Sequence, residues 1–141
     1  MYLWAHKAVF AIGLLASFYA PSFAQNRGNV SGRLIYPSDW LPPQIVCAVP
    51  VDGGNRLCTK VREGQNRFNM QVPVGRYYFS SEYGNMKAWY TTFDNECGAN
   101  CGGAPVSARI VKIHEYSLTP DSVTGVCVCD WYNSGKILFP R

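Results

Sequence analysis

Short runs in which apolar and polar residues alternate, each closed by Gly, Pro, Asn or Asp, recur roughly every 10 residues along this chain. Alternation with period two sends successive side chains to opposite faces of a strand, and it is incompatible with the 3.6-residue period of a helical bundle. The runs span residues 30–36, 44–49, 56–61, 67–72, 76–80, 87–93, 108–113 and 124–132. In the clearest of them Phe68, Met70 and Val72 share one face, opposite Arg67, Asn69 and Gln71. Asp52-Gly53 predicts a tight type I′ hairpin turn, and Pro73 and Gly75 occupy the i+1 and i+3 positions of a type I turn begun by Val72. The fold class expected is all-β: a seven- or eight-stranded antiparallel β-sandwich. With 48% hydrophobic, 14% aromatic and 16% charged residues, the chain is no disordered tail.

The first 24 residues stand outside this pattern. Lys7 precedes the apolar stretch from Ala8 to Ala16, and Ser22 and Ala24 supply small residues at the −3 and −1 positions of a cleavage site before Gln25. The stretch is well short of the roughly 20 apolar residues of a spanning helix. Residues 1–24 are therefore expected to be a signal peptide, residues 25–133 the β-sandwich domain and residues 134–141 a C-terminal tail. The expected location is secreted or periplasmic, with no membrane anchor in the mature chain. Loss of Lys7 takes the net charge from +4 to +3. The remaining Arg and Lys are scattered and form no stripe that would follow a phosphate backbone, so no nucleic acid is expected as a partner.

Six cysteines remain in the mature chain: Cys47, Cys58, Cys97, Cys101, Cys127 and Cys129. An even number behind an export signal reads as a disulfide framework. Cys47 and Cys58 flank the Asp52-Gly53 turn symmetrically, and a two-residue loop there sets them directly opposite each other. Cys97 and Cys101 enclose a short loop containing Gly98. Chain entropy assigns about 3 kcal/mol to the first bond and about 2 to the second. Cys127 and Cys129 fall on one face of one strand, where a mutual bond strains the backbone; bridges to Cys47 or Cys58 are the alternative, and the pairing stays open.

Catalytic chemistry finds little footing. Cys97-x-x-x-Cys101 is one residue longer than a thioredoxin-like motif and lacks a βαβ context. His114 is the single histidine of the mature chain, too few for a histidine-rich metal site. No Ser stands in a nucleophile elbow. The expectation is a non-enzyme with no cofactor and no metal. Aromatic residues are the strongest excess; if Tyr77 and Phe79 point inward, Tyr78, Tyr83 and one of Trp89 or Tyr90, which alternate to opposite faces, are the candidate binding surface.

The segment Phe68-x-Met70-x-Val72-Pro73-Val74-Gly75-Arg76-Tyr77-Tyr78-Phe79 resembles the carboxypeptidase regulatory-like, transthyretin-like β-sandwich modules. Asn29-Val30-Ser31-Gly32-Arg33-Leu34 is similar to their first strand, with Gly in mid-strand. Cys97-Gly98 through Cys101 and Asp130-Trp131-Tyr132 look like small exported bacterial members. The resemblance spans residues 28–132 and implies a prealbumin-like sandwich acting as a non-catalytic binding or accessory module. It carries over no ligand site, and Cys127-Val128-Cys129 departs from the pattern. The expected partner is a protein or a glycan. Two specific forms are an inhibitor that inserts the Cys97–Cys101 loop into a secreted hydrolase, and a carbohydrate-binding module using the surface aromatics.

Overall fold

A computed structural model of the chain describes residues 26–93, 106–114, 121–133 and 135–141; the expected leader and the Cys97–Cys101 loop lie outside them. Among the described residues the protein is all-β, without a helix. Its strands are β1 (Arg27–Leu34), β2 (Gln44–Pro50), β3 (Leu57–Val61), β4 (Arg67–Pro73), β5 (Gly75–Tyr83), β6 (Met86–Trp89), β7 (Val106–Ser107), β8 (Val111–Ile113), β9 (Ser122–Val128) and β10 (Ile137–Leu138). One sheet has the order β4-β1-β9, and a second has the order β3-β2-β5-β6 with β8 also paired to β5. The short pair β10-β7 stands apart from both.

The two larger sheets share one apolar core. Val30, Leu34, Phe68, Met70, Val72, Val126 and Val128 enter it from the first sheet; Val46, Ala48, Val61, Tyr77, Phe79, Ala88, Val111 and Ile113 enter from the second. Phe68 and Phe79 stack across it with centroids 6.0 Å apart. The alternation in β4 is followed strictly: Phe68, Met70 and Val72 are buried while Arg67, Asn69 and Gln71 are exposed. Strand ends depart from the sequence expectation. The run ending at Phe93 leaves its ladder after Trp89, and the run ending at Tyr132 leaves after Val128. There Trp89 and Asp130 exchange backbone hydrogen bonds of 3.2 Å in both directions, which ties the second sheet to the segment following β9.

The expectation of a wholly antiparallel arrangement is corrected by β1, which pairs antiparallel with β4 but parallel with β9. No hairpin joins β1 to β9, so no turn dictates their relative direction. The register shifts between Val30 and Gly32. At this shift a Cβ on Gly32 would lie 1.9 Å from the Val126 carbonyl oxygen and 2.7 Å from the Phe68 ring. Glycine is what lets the two strands approach.

Cys47 and Cys58 are direct partners in the β2–β3 ladder and are joined by a disulfide, with Cα atoms 4.1 Å apart. Their register is that of a two-residue loop, but the tight type I′ turn is absent. Asp52 does not adopt a positive φ; instead Gly53 donates its N–H to the Pro50 carbonyl oxygen and itself takes φ 88°. Val49 and Pro50 keep pairing with β5 after the β3 ladder has ended, which opens the connection. Cys127 and Cys129 are bonded to each other, correcting the argument from strain. That argument assumed an extended strand through both, whereas β9 ends at Val128 and the Cα separation contracts to 5.3 Å, inside the usual disulfide range.

The two bonds close loops of very different length, so their removal separates cleanly. Replacing Cys47 and Cys58 together by serine is expected to cost about 3 kcal/mol and replacing Cys127 and Cys129 about 1.6 kcal/mol, from loop-closure entropy. Chemical denaturation of the two double variants checks this order; equal losses would contradict it.

Candidate functional site

The strand directions gather four segments at one end of the stacked sheets: the chain leaving β1, the turn between β3 and β4, the β5–β6 hairpin and the chain leaving β9. Three of them bring aromatic side chains, and the β3–β4 turn brings Glu63. Pro37, Pro42 and Pro43 prevent residues 35–43 from continuing a ladder, so Tyr36 and Trp40 are carried on an irregular loop over the end. Tyr83 closes β5 and Trp131 follows β9.

These four rings form a continuous chain of edge-to-face contacts. Trp40 meets Tyr83 at 5.8 Å between centroids, Tyr83 meets Tyr36 at 5.9 Å and Tyr36 meets Trp131 at 5.1 Å. Edge-to-face packing sets the positive edge of one ring against the negative face of the next, so each ring fixes its neighbour's orientation. Both indole N–H groups are occupied. Trp40 donates to Glu63 Oε1 at 2.7 Å, and Trp131 donates to the Ile35 carbonyl oxygen. The Trp40 ring is nonetheless 49% exposed, and Ile35, Met86 and Tyr132 are exposed at the same end. The result is a pre-positioned aromatic surface beside an acidic side chain.

The four aromatics nominated from the sequence divide among three places. Only Tyr83 belongs to this cluster. Tyr78 and Trp89 lie on the outward face of the second sheet, where both contact Phe139. The Lys87 ammonium sits 4.6 Å over the Trp89 ring. Tyr90 lies elsewhere, packed partly on the core with the Arg109 guanidinium 5.6 Å over its ring. Tyr36 and Trp131 stand inside the expected runs 30–36 and 124–132 and Trp40 outside all of them; alternation assigns faces within one strand and does not tell which strand ends meet. An aromatic residue amid prolines, as in Ser38-Asp39-Trp40-Leu41-Pro42-Pro43, is the signal that points to Trp40.

On the outward face Glu82 contacts Arg56 at 2.6 Å and Lys87 at 3.0 Å. Partial burial acts to raise its carboxyl pKa, but the Lys87 ammonium and the Arg56 guanidinium outweigh it and hold the group below its ordinary value. A cavity of about 250 Å³ is lined by Trp89, Tyr90, Thr91, Phe93, Arg109, Cys127, Cys129 and Asp130. Its buried carboxylate is already committed. Asp130 accepts from the Thr91 hydroxyl, the Asn133 side chain and the backbone N–H groups of Tyr132 and Asn133. His114 Nδ1 stands 3.4 Å from Asp121 at the opposite end of the sheets, exposed. Among the described residues no three His, Cys, Asp or Glu side chains come together as metal ligands.

Comparison of the chain with protein-family models, curated proteins and solved structures finds no match.

Proposed function

We propose that the protein is an exported, non-enzymatic accessory module, a β-sandwich of prealbumin type, that binds a protein partner through Tyr36, Trp40, Tyr83 and Trp131. The observation that carries this reading is the ring chain itself: four large side chains from three segments, oriented by one another, with Trp40 half exposed at the outer end. Rigid Trp and Tyr side chains contribute binding area at little entropic cost and dominate protein interfaces. The successive rings stand at 78–89° to one another, so they offer anchoring edges rather than the coplanar platform along which a sugar chain stacks. Export is supported by the leader-like residues 1–24 and by two disulfides, which persist in oxidising compartments. The hydrolase-inhibitor form of this activity rests on the Cys97–Cys101 loop, outside the described residues.

Capture of partners from the export compartment by the tagged protein tests the proposal against Trp40→Ala and Tyr83→Ala. Each substitution is expected to weaken the specific partner about thirtyfold, as loss of an interface hot spot does. Unchanged binding by both variants would refute it. Saturable quenching of tryptophan fluorescence by a polysaccharide, lost in Trp40→Ala, would replace the protein partner with a carbohydrate.

A further inference from the structure

The outward face of the second sheet is covered by the chain's own C-terminus. β10 lies parallel to β7, with Ile137 opposite Val106 and Leu138 opposite Ser107, and Ala108 N–H donates to the Leu138 carbonyl oxygen at 2.8 Å. Phe139 then places its ring edge-to-face against both Tyr78, at 5.2 Å, and Trp89, at 4.8 Å. The Tyr78 hydroxyl donates to the Pro140 carbonyl oxygen. A strand edge, an aromatic pair and a hydroxyl thus read three successive features of one extended segment.

The segment is held lightly. Its ladder is two residues long, Leu138 is 56% exposed and Phe139 43%. Gly135, where an added Cβ would meet nothing within 4 Å, precedes it. The face beneath is incompletely served. Ser80, directly across from Trp89 and two residues from Tyr78, is fully buried, and its Oγ has no hydrogen-bond partner. An unpaired buried hydroxyl costs free energy that a better-fitting occupant recovers.

We infer that the β7 edge together with Tyr78 and Trp89 is a peptide-docking groove occupied in cis, and that its ligand in trans is an extended apolar segment carrying an aromatic residue before proline, supplied by a different protein. Recognition combines strand addition with a side-chain pocket. Tail exchange between two copies makes no contact that docking within one chain lacks, and it forfeits tethering. A foreign segment gains by contacts the tail does not make. The tether sets the bar, because a short linker holds its own segment at an effective concentration on the order of millimolar.

The probe is a synthetic fluorescent peptide of residues 135–141, titrated by anisotropy into the full chain and into full-chain Phe139→Ala. Phe139 is exposed enough for the variant to keep its fold, which circular dichroism verifies. The variant is expected to bind the peptide at least about tenfold more tightly than the parent. The same peptide with alanine in place of its phenylalanine is expected not to bind. Equal affinity of parent and variant, or no binding to the folded variant, would overturn the inference. Sedimentation of the parent is expected to give a monomer; a concentration-dependent dimer abolished by Phe139→Ala would overturn the assignment to a different protein in favour of tail exchange. This groove shares no residue with the Tyr36–Trp40–Tyr83–Trp131 surface, so either can fail alone.

Discussion

Phe79→Ala is expected to lower the unfolding free energy by about 3–5 kcal/mol, a large part of the roughly 5–15 kcal/mol typical of a domain. The side chain is fully buried at the contact between the two sheets, and its stacking partner Phe68 comes from the opposite one. Truncation therefore empties space that neither sheet can fill without moving as a whole. Urea denaturation should show the midpoint falling with little change in slope. A loss under about 1 kcal/mol would mean that the sheets do not meet at Phe79.

Gly32→Ala is expected to cost about 3 kcal/mol for the opposite reason, too many atoms rather than too few. The obstacle 1.9 Å from the new methyl is the Val126 backbone carbonyl, which cannot rotate aside as a side chain does. Either β1 and β9 part or the ladder shifts. Gly53→Ala is the informative contrast: nothing lies within 4 Å of its Cβ position, so only the positive φ opposes the substitution, at about 1 kcal/mol. Near-equal losses for the two variants would show that the close β1–β9 approach is wrong.

The sequence was most informative where local chemistry alone decides structure. Phe68, Met70 and Val72 declare a strand and its buried face because alternation is a property of neighbouring residues. The Cys47–Cys58 register followed from counting outward from Asp52 and Gly53, even though the turn itself took another form. What escaped depends on residues far apart. Nothing near Arg27–Leu34 states that its second neighbour is Ser122–Val128 or that the two run in the same direction. Two-residue β7 and β10 are too short to carry any period. The candidate site follows the same rule. Tyr83 was nominated from the sequence although the expected run stops at Ser80, whereas Tyr36, Trp40 and Trp131 join it only through the meeting of segments far apart in the chain.

The position of β1 has a kinetic consequence. A chain emerging from its N-terminus presents Val30 long before Val123, its eventual neighbour, exists. The β4-β1-β9 sheet therefore stays unfinished until nearly the whole polypeptide is available, with one β1 edge unsatisfied meanwhile. Pairings of such large sequence separation make folding slow. Cys47 and Cys58, only 11 positions apart, can crosslink well before that moment. The early clip and the late closing strand thus mark the two ends of a maturation timeline, and the interval between them is when the chain is most vulnerable to aggregation.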